Sequence, residues 1–126
     1  MPEKVYVTWD DVEQFVNELV DIYKDNNLPG VLGPARGGLI LAVMLSHRLH
    51  IPMLNAPCKG CLIVDDICDT GESLIHYYKN SSALDKPLYH IVTMYYKENT
   101  LGVIPELSKF NKEDKWIVFP WEDKEE

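Results

Sequence analysis

The stretch Val64-Asp65-Asp66-Ile67-Cys68-Asp69-Thr70-Gly71-Glu72-Ser73 decides the fold, because it joins a strand to a helix. Its first residue, Val64, completes an apolar run of strand length that begins at Cys61, and Asp65 and Asp66 end that strand. After it, Leu74 to Lys79 continues as a helix. Ligands of open parallel sheets bind where the strands end, so this junction predicts a functional site.

The residues of this junction suit a phosphorylated ligand. Thr70, Gly71 and Ser73 offer two hydroxyls, free backbone N–H groups and close backbone approach, which favours a phosphate monoester. Either hydroxyl alone could instead cap the helix. Asp65 and Asp66 favour the ligand, because adjacent carboxylates after a buried strand are costly unless a cation or hydroxyl groups meet them. The alternative for these two acids is a solvated strand end.

A second strand-turn-helix unit precedes the first along the chain. Val31-Leu32 predicts a short strand, Gly33-Pro34-Ala35-Arg36-Gly37-Gly38 a turn, and Leu39 to Leu49 a largely buried helix. Such a unit presents backbone N–H groups to an anion.

The remaining segments complete an alternation of strands and helices. We predict strands at Val5 to Val7, Ile51 to Leu54, Leu88 to Tyr95 and Trp116 to Phe119, a helix from its N-cap Thr8 to Lys24, and an irregular polar segment from Lys97 to Lys115. This alternation predicts an α/β fold in which a mostly parallel sheet is flanked by helices. A length of 126 residues predicts one domain, residues 1–126.

Composition narrows the classes of partner. The formal net charge is −8 and Lys and Arg form no block, which argues against a nucleic-acid partner. The longest apolar run, Leu39 to Leu45, is too short to cross a membrane, and the N-terminus carries no apolar signal core. We therefore expect a cytoplasmic protein. Cys58-Lys59-Gly60-Cys61 is interpreted as a tight turn with incidental thiols, and a zinc or redox role is the alternative.

Three segments resemble the type I phosphoribosyltransferases, which use phosphoribosyl pyrophosphate (PRPP). Residues 64–73 resemble the PRPP-binding signature, an apolar strand followed by two acids and D-T-G-x-[ST]. Residues 33–38 are similar to the pyrophosphate loop, closest to the S-R-G-G form of the bacterial xanthine-guanine members. Trp116-Ile117-Val118-Phe119-Pro120-Trp121-Glu122 is similar to their W-I-x-x-P-W-[DE] ending. The resemblance runs, with gaps, from about Val5 to Glu122.

The resemblance implies a Rossmann-like fold with a minimal C-terminal purine-binding hood. It implies an enzyme that transfers ribose 5-phosphate from PRPP to a 6-oxopurine (guanine, xanthine or hypoxanthine), with Mg²⁺ as cofactor. The implied PRPP contacts are Asp65 and Asp66 for ribose and metal, Asp69, Thr70, Gly71, Glu72 and Ser73 for the 5′-phosphate, and Ala35, Arg36, Gly37 and Gly38 for pyrophosphate. For the purine, the implied roles are Asp69 as the base that accepts the N7 proton, Trp116 as stacking platform, Ile117 as main-chain contact and Lys97 as donor to the 6-oxo group. Glu122 is implied as an acid near a second metal ion.

One departure from the family leaves an alternative open. Family members usually carry a long mobile loop before the PRPP strand, whereas here only Asn55 to Gly60 remains. A closing loop excludes water and supplies donors, so its shortening favours a noncatalytic PRPP or nucleotide sensor of the same fold. A pyrimidine acceptor is a further alternative, which Lys97 and Trp116 disfavour. The resemblance also implies a homo-oligomer, a dimer or tetramer.

Overall fold

The structure, a computed structural model, describes residues 3–34, 36–82 and 88–122. Its elements are β1 (Lys4–Tyr6), α1 (Trp9–Tyr23), β2 (Val31–Leu32), α2 (Gly37–Leu49), β3 (Leu62–Cys68), α3 (Ile75–Ser82), β4 (His90–Tyr96), β5 (Leu107–Asn111) and β6 (Trp116–Val118). One sheet has the order β2-β3-β4-β5, and β1 pairs with β6 in a second. Every pairing between these strands is parallel, so the predicted α/β fold with its parallel sheet is confirmed.

Helices cover both faces of the larger sheet. On one face, Leu62 and Val64 of β3 pack in a core cluster with the buried residues of α1 and α2. On the other face, Ile63 belongs to a second cluster with Leu74, which immediately precedes α3. A strand buried on both faces reads as a continuous apolar run, which is why β3 stood out in the sequence. Ile117 and Phe119 join the first cluster, so the small sheet shares the same core.

The predicted start of α1 is confirmed by its capping box. Thr8 Oγ1 accepts a hydrogen bond from the Asp11 N–H at 3.1 Å, and Asp11 Oδ2 accepts one from the Thr8 N–H at 2.9 Å. The buried side chains recur at three- and four-residue spacing and form the stripe that faces the sheet: Val12, Phe15, Val16, Leu19 and Tyr23.

Three sequence predictions are wrong in detail. Residues 51–54 form no strand, and only Met53 makes an isolated bridge, to Val31; Pro52 lacks an N–H to donate to a ladder. The segment from Lys97 to Lys115 is not wholly irregular, because it contains β5, which is the edge strand and is only half-buried. Strand β3 does not end before Asp65 and Asp66 but continues beside β4 to Cys68.

The C-x-x-C segment forms the predicted tight turn. The Cys61 N–H donates to the Cys58 carbonyl at 3.1 Å, and Gly60 supplies the positive φ of 83° that this turn requires. Cys58, Cys61 and Cys68 are free thiols. Within the described ranges, no cluster of three or more His, Cys, Asp or Glu residues is arranged to hold a metal ion. In the same ranges, no helix has the length and apolarity needed to cross a membrane.

Candidate active site

The carboxyl ends of β2, β3 and β4 gather the loops that the sequence singled out. The glycine turn after β2 touches β3, because a Cβ on Gly38 would lie 2.6 Å from the Val64 carbonyl oxygen. The loop after β3 touches the loop after β4, since a Cβ on Gly71 would lie 3.0 Å from Asn99 Oδ1. Parallel pairing places these ends on one edge, and these contacts show that the three loops meet there.

Asp65 and Asp66 lie side by side within β3. Asp65 is buried, with 6% of its surface exposed, whereas Asp66 is half-buried. Burial first, and the Asp66 charge second, raise the pKa of Asp65 to about 8. Asp65 Oδ1 accepts from the Asp66 N–H at 2.9 Å, and Ser73 Oγ donates to Asp65 Oδ2 at 3.4 Å. The alternative of a solvated strand end is therefore wrong for Asp65. A cation or ligand hydroxyl groups would offset the repulsion between two ionised carboxylates at this position.

The register partner of Asp65 on β4 is Thr93, which the sequence analysis missed. Its side chain is fully buried, and among the described residues its hydroxyl Oγ1 has no hydrogen-bond partner. The only feature of the sequence that could have pointed to Thr93 is its hydroxyl within an otherwise apolar strand. A buried, unsatisfied hydroxyl is uncommon in folded proteins, and this one lies beside the acid pair.

Gly37 brings the turn after β2 against the acid pair. A Cβ on Gly37 would overlap the Asp66 carboxylate, so only glycine permits the observed approach. Arg36, which precedes α2 at its N-cap position, is exposed. Ala35 lies outside the described residues. Of the predicted pyrophosphate contacts, the structure therefore brings Gly37 and Gly38 to β3 and leaves Arg36 exposed beside them.

The loop after β3, the predicted phosphate contact, makes a tight turn. Gly71 has φ of 86°, and the Leu74 N–H donates to the Gly71 carbonyl at 3.2 Å in a turn that leads into α3. Thr70 Oγ1 accepts from the Glu72 N–H at 3.3 Å. Thr70, Glu72 and Ser73 are exposed.

Asn99 organises the neighbouring loop after β4, and the sequence analysis also missed this residue. Its amide group donates to the Lys97 carbonyl at 3.1 Å and to the Val103 carbonyl at 2.9 Å, and accepts from the Val103 N–H at 2.9 Å. Val103 is buried against Gly71. Asn99 therefore fixes the backbone of Lys97 relative to the loop after β3.

A cleft of about 310 Å³ opens between the end of β3 and the start of β6. Its walls are formed by Ile67, Asp69, Lys112, Asp114, Lys115, Trp116 and Ile117. Trp116 is 48% exposed, which leaves its ring accessible, whereas Ile117 is buried. The structure thus brings three of the predicted residues, Asp69, Trp116 and Ile117, to one cleft. A larger cleft of about 550 Å³ lies beside Tyr6 and Trp9 but contains none of the predicted site residues.

Lys97 and Glu122 are not among the described residues that line the smaller cleft. Lys97 Nζ lies 3.0 Å from Asp114 Oδ1 on the cleft wall, and this hydrogen bond, followed by the Asp114 charge, raises the pKa of Lys97. Glu122 Oε1 accepts from the Phe119 N–H at 2.9 Å and closes the turn after β6. Lys97 therefore contacts Asp114, a residue that lines the cleft, and the Glu122 side chain is engaged in a turn.

Comparisons with known proteins agree with this fold, although no family model matches the chain. A purine phosphoribosyltransferase from Pyrococcus horikoshii Ot3 is 31% identical, with 95% of each chain covered and a TM-score of 0.78. The xanthine-guanine phosphoribosyltransferase of Chromohalobacter salexigens is 25% identical over 92% of this chain and 82% of that protein. The xanthine-guanine-hypoxanthine phosphoribosyltransferase of Helicobacter pylori is 19% identical, covers 95% and 94% of the two chains, and has a TM-score of 0.71.

The chain belongs to the type I phosphoribosyltransferase family. Members of this family are pentosyltransferases, so the enzyme class implied by the sequence motifs is confirmed.

Proposed function

We propose that this protein transfers ribose 5-phosphate from PRPP to a 6-oxopurine and releases pyrophosphate. The observation that carries the proposal is the smaller cleft, where Asp69, in the middle of the PRPP motif, shares a cavity with the exposed ring of Trp116. An aromatic face beside a carboxylate suits a planar base that must lose a proton. The similarity to purine and xanthine-guanine phosphoribosyltransferases supports transfer to a purine.

In the proposed reaction, purine N9 forms the bond to ribose C1 while the bond from C1 to pyrophosphate oxygen breaks. The Asp69 carboxylate takes the proton that leaves N7, and pyrophosphate takes the bonding electrons. Trp116 stacks on the ring and the Ile117 backbone contacts its edge. Lys97 donates to the 6-oxo group, which selects against adenine because adenine presents an amine donor there.

The PRPP contacts are proposed from the resemblance of these segments to the family. The 5′-phosphate binds the loop of Asp69, Thr70, Gly71, Glu72 and Ser73, and the pyrophosphate binds Ala35, Arg36, Gly37 and Gly38. Asp65 and Asp66 hold the ribose hydroxyls and favour positive charge on the sugar ring. Their paired carboxylates also fit Mg²⁺, which binds through one or two carboxylates and completes its shell with water and substrate phosphates. When bound, Mg²⁺ would neutralise charge on the departing pyrophosphate. Glu122 is proposed near a second metal ion.

We further propose that residues 1–126 act as one domain in a cytoplasmic homo-oligomer, without nucleic-acid or membrane partners. The shared core of the two sheets supports the single domain. The net charge of −8 supports the absence of a nucleic-acid partner.

The direct test is pyrophosphate release from PRPP and Mg²⁺ with guanine, xanthine, hypoxanthine, adenine, uracil or no base. We expect release that depends on a 6-oxopurine, with the matching nucleotide identified by mass spectrometry. Equal release without any base would contradict transferase activity.

The short segment from Asn55 to Gly60 favours one rival function. It connects Leu54, whose N–H donates to the Val31 carbonyl at 2.8 Å, directly to the turn before β3, so it is not a long covering loop. The rival is a noncatalytic sensor of PRPP or a nucleotide. Binding of PRPP or nucleotide without turnover for any base would favour the sensor.

Replacing Gly37 with Ala tests the proposed contact between the pyrophosphate loop and the acid pair. Because the new Cβ displaces the Asp66 carboxylate, we expect PRPP affinity to fall by about 10-fold or more in calorimetry. The matched control is Gly60→Ala at the opposite end of β3, where the positive φ costs about 1 kcal/mol of stability. Equal PRPP affinity in both variants would contradict a role for this contact in PRPP binding.

A further inference from the structure

Lys112 lies on the cleft wall directly beside the proposed base. It follows β5, and its N–H donates to the Tyr96 carbonyl at 2.7 Å, which ties its backbone to the end of β4. Its Nζ lies 3.1 Å from Asp69 Oδ2. The Lys112 side chain is only 13% exposed, whereas Asp114 in the same cleft is 94% exposed. Lys112 is therefore a largely buried cation held at one position.

The Asp69–Lys112 pair is complementary to one edge of a 6-oxopurine. That edge carries N7 and the 6-oxo oxygen side by side. In the proposed function Asp69 accepts the N7 proton, so a donor beside its carboxylate on the cleft wall is within reach of the neighbouring 6-oxo oxygen. Lys112 is such a donor, and an ammonium group has no acceptor for the amine that adenine presents there.

Two lysines are candidates for the donor to the 6-oxo oxygen, Lys112 and Lys97, the lysine that the family resemblance implies. Lys112 is among the described residues that line the cleft, whereas Lys97 is not. Lys97 forms an ion pair with the exposed Asp114 carboxylate. The cleft therefore offers a donor to the 6-oxo oxygen that does not depend on Lys97.

We propose that Lys112 is a specificity-determining residue, which donates a hydrogen bond to the 6-oxo group and so selects 6-oxopurines over adenine. The inference rests on the proposed function. It adds a second donor to the one implied by family resemblance.

The test compares two nucleotides that differ at the 6 position, inosine 5′-monophosphate and purine riboside 5′-monophosphate, which lacks the oxo group. Calorimetry should give the wild-type protein a preference of about 10- to 100-fold for inosine monophosphate, as expected for a charged hydrogen bond. Lys112→Met should lower this preference by about 10-fold, leaving the contribution of Lys97, and change the affinity for purine riboside monophosphate by less than about threefold. Lys112→Gln keeps a neutral donor and should be intermediate.

Lys109→Met is the matched control. Lys109 lies on β5, is 19% exposed in its side chain, and pairs with Glu18 at 2.6 Å, away from the cleft. This variant should keep the full wild-type preference. If both Lys112 variants keep it while Lys97→Met loses it, the Lys112 assignment is overturned and the proposed function stands. If the wild-type protein does not distinguish the two nucleotides, or binds neither, both proposals fail.

Discussion

Asp69→Asn is expected to lower kcat for nucleotide formation by at least about 100-fold, because the amide cannot accept the purine proton. The substitution keeps the size of the side chain and an oxygen that can accept from Lys112 Nζ, now 3.1 Å from Asp69 Oδ2. We therefore expect the affinity for PRPP to change by less than about threefold. Steady-state pyrophosphate release with the preferred base gives kcat, and calorimetry gives the PRPP affinity.

The comparison for Asp69→Asn is Asp21→Asn on the exposed side of α1, which should retain wild-type kcat. Unchanged kcat in Asp69→Asn would exclude Asp69 as the base. An equal loss of kcat and PRPP affinity would instead assign Asp69 a role in forming the phosphate loop. Only a fall in kcat with PRPP binding preserved fits a group that moves the proton.

The sequence predicted the parts of the fold that follow from local chemistry. The capping box of Thr8 and Asp11 involves neighbours on the chain, so its start signal is visible in the residues themselves. Strand β3 is buried on both faces, which gives it a continuous apolar run. The glycine turn before α2 and the loop after β3 carry backbone requirements that Gly37 and Gly71 satisfy, and these also appear directly in the sequence.

The features that the sequence did not predict depend on contacts between distant segments. Strand β5 is a half-buried edge strand, so it shows neither an apolar run nor a clean alternation. Asn99 appears as an ordinary loop residue until its amide is seen to bridge Lys97 and Val103. Lys112 reads as a surface lysine, and only the packing of β5 beside β4 brings it to Asp69. In each case the chemistry is set by tertiary proximity.

Asp65→Asn is expected to stabilise the free protein while weakening PRPP binding by about 100-fold through loss of a charged contact. Near neutral pH the variant should unfold in urea with about 1–3 kcal/mol more free energy than the wild type, which raises Tm by several degrees. The introduced amide would keep an oxygen to accept from the Asp66 N–H, which bonds to Asp65 Oδ1 at 2.9 Å in the wild type, so the local backbone is retained.

The pH dependence of this stability gain follows from the raised pKa of Asp65. The folded pKa is about 8, while the ordinary value is 3.8, so between these values the unfolded chain is ionised and the folded chain retains the proton. The wild type therefore has its full contribution from Asp65 below about pH 4 and loses it progressively as the pH rises to about 8. Because Asn does not ionise, the stability difference between variant and wild type should grow across the same range.

Urea unfolding at several pH values, with Asp21→Asn as the control, measures this difference directly. A variant less stable than the wild type at neutral pH would contradict the view that the acid pair is strained in the free protein. Unchanged PRPP affinity would contradict its role in holding ribose and metal. If both expectations hold, the acid pair lowers the stability of the free protein because its carboxylates are arranged for a ligand, and PRPP with Mg²⁺ would restore that stability on binding.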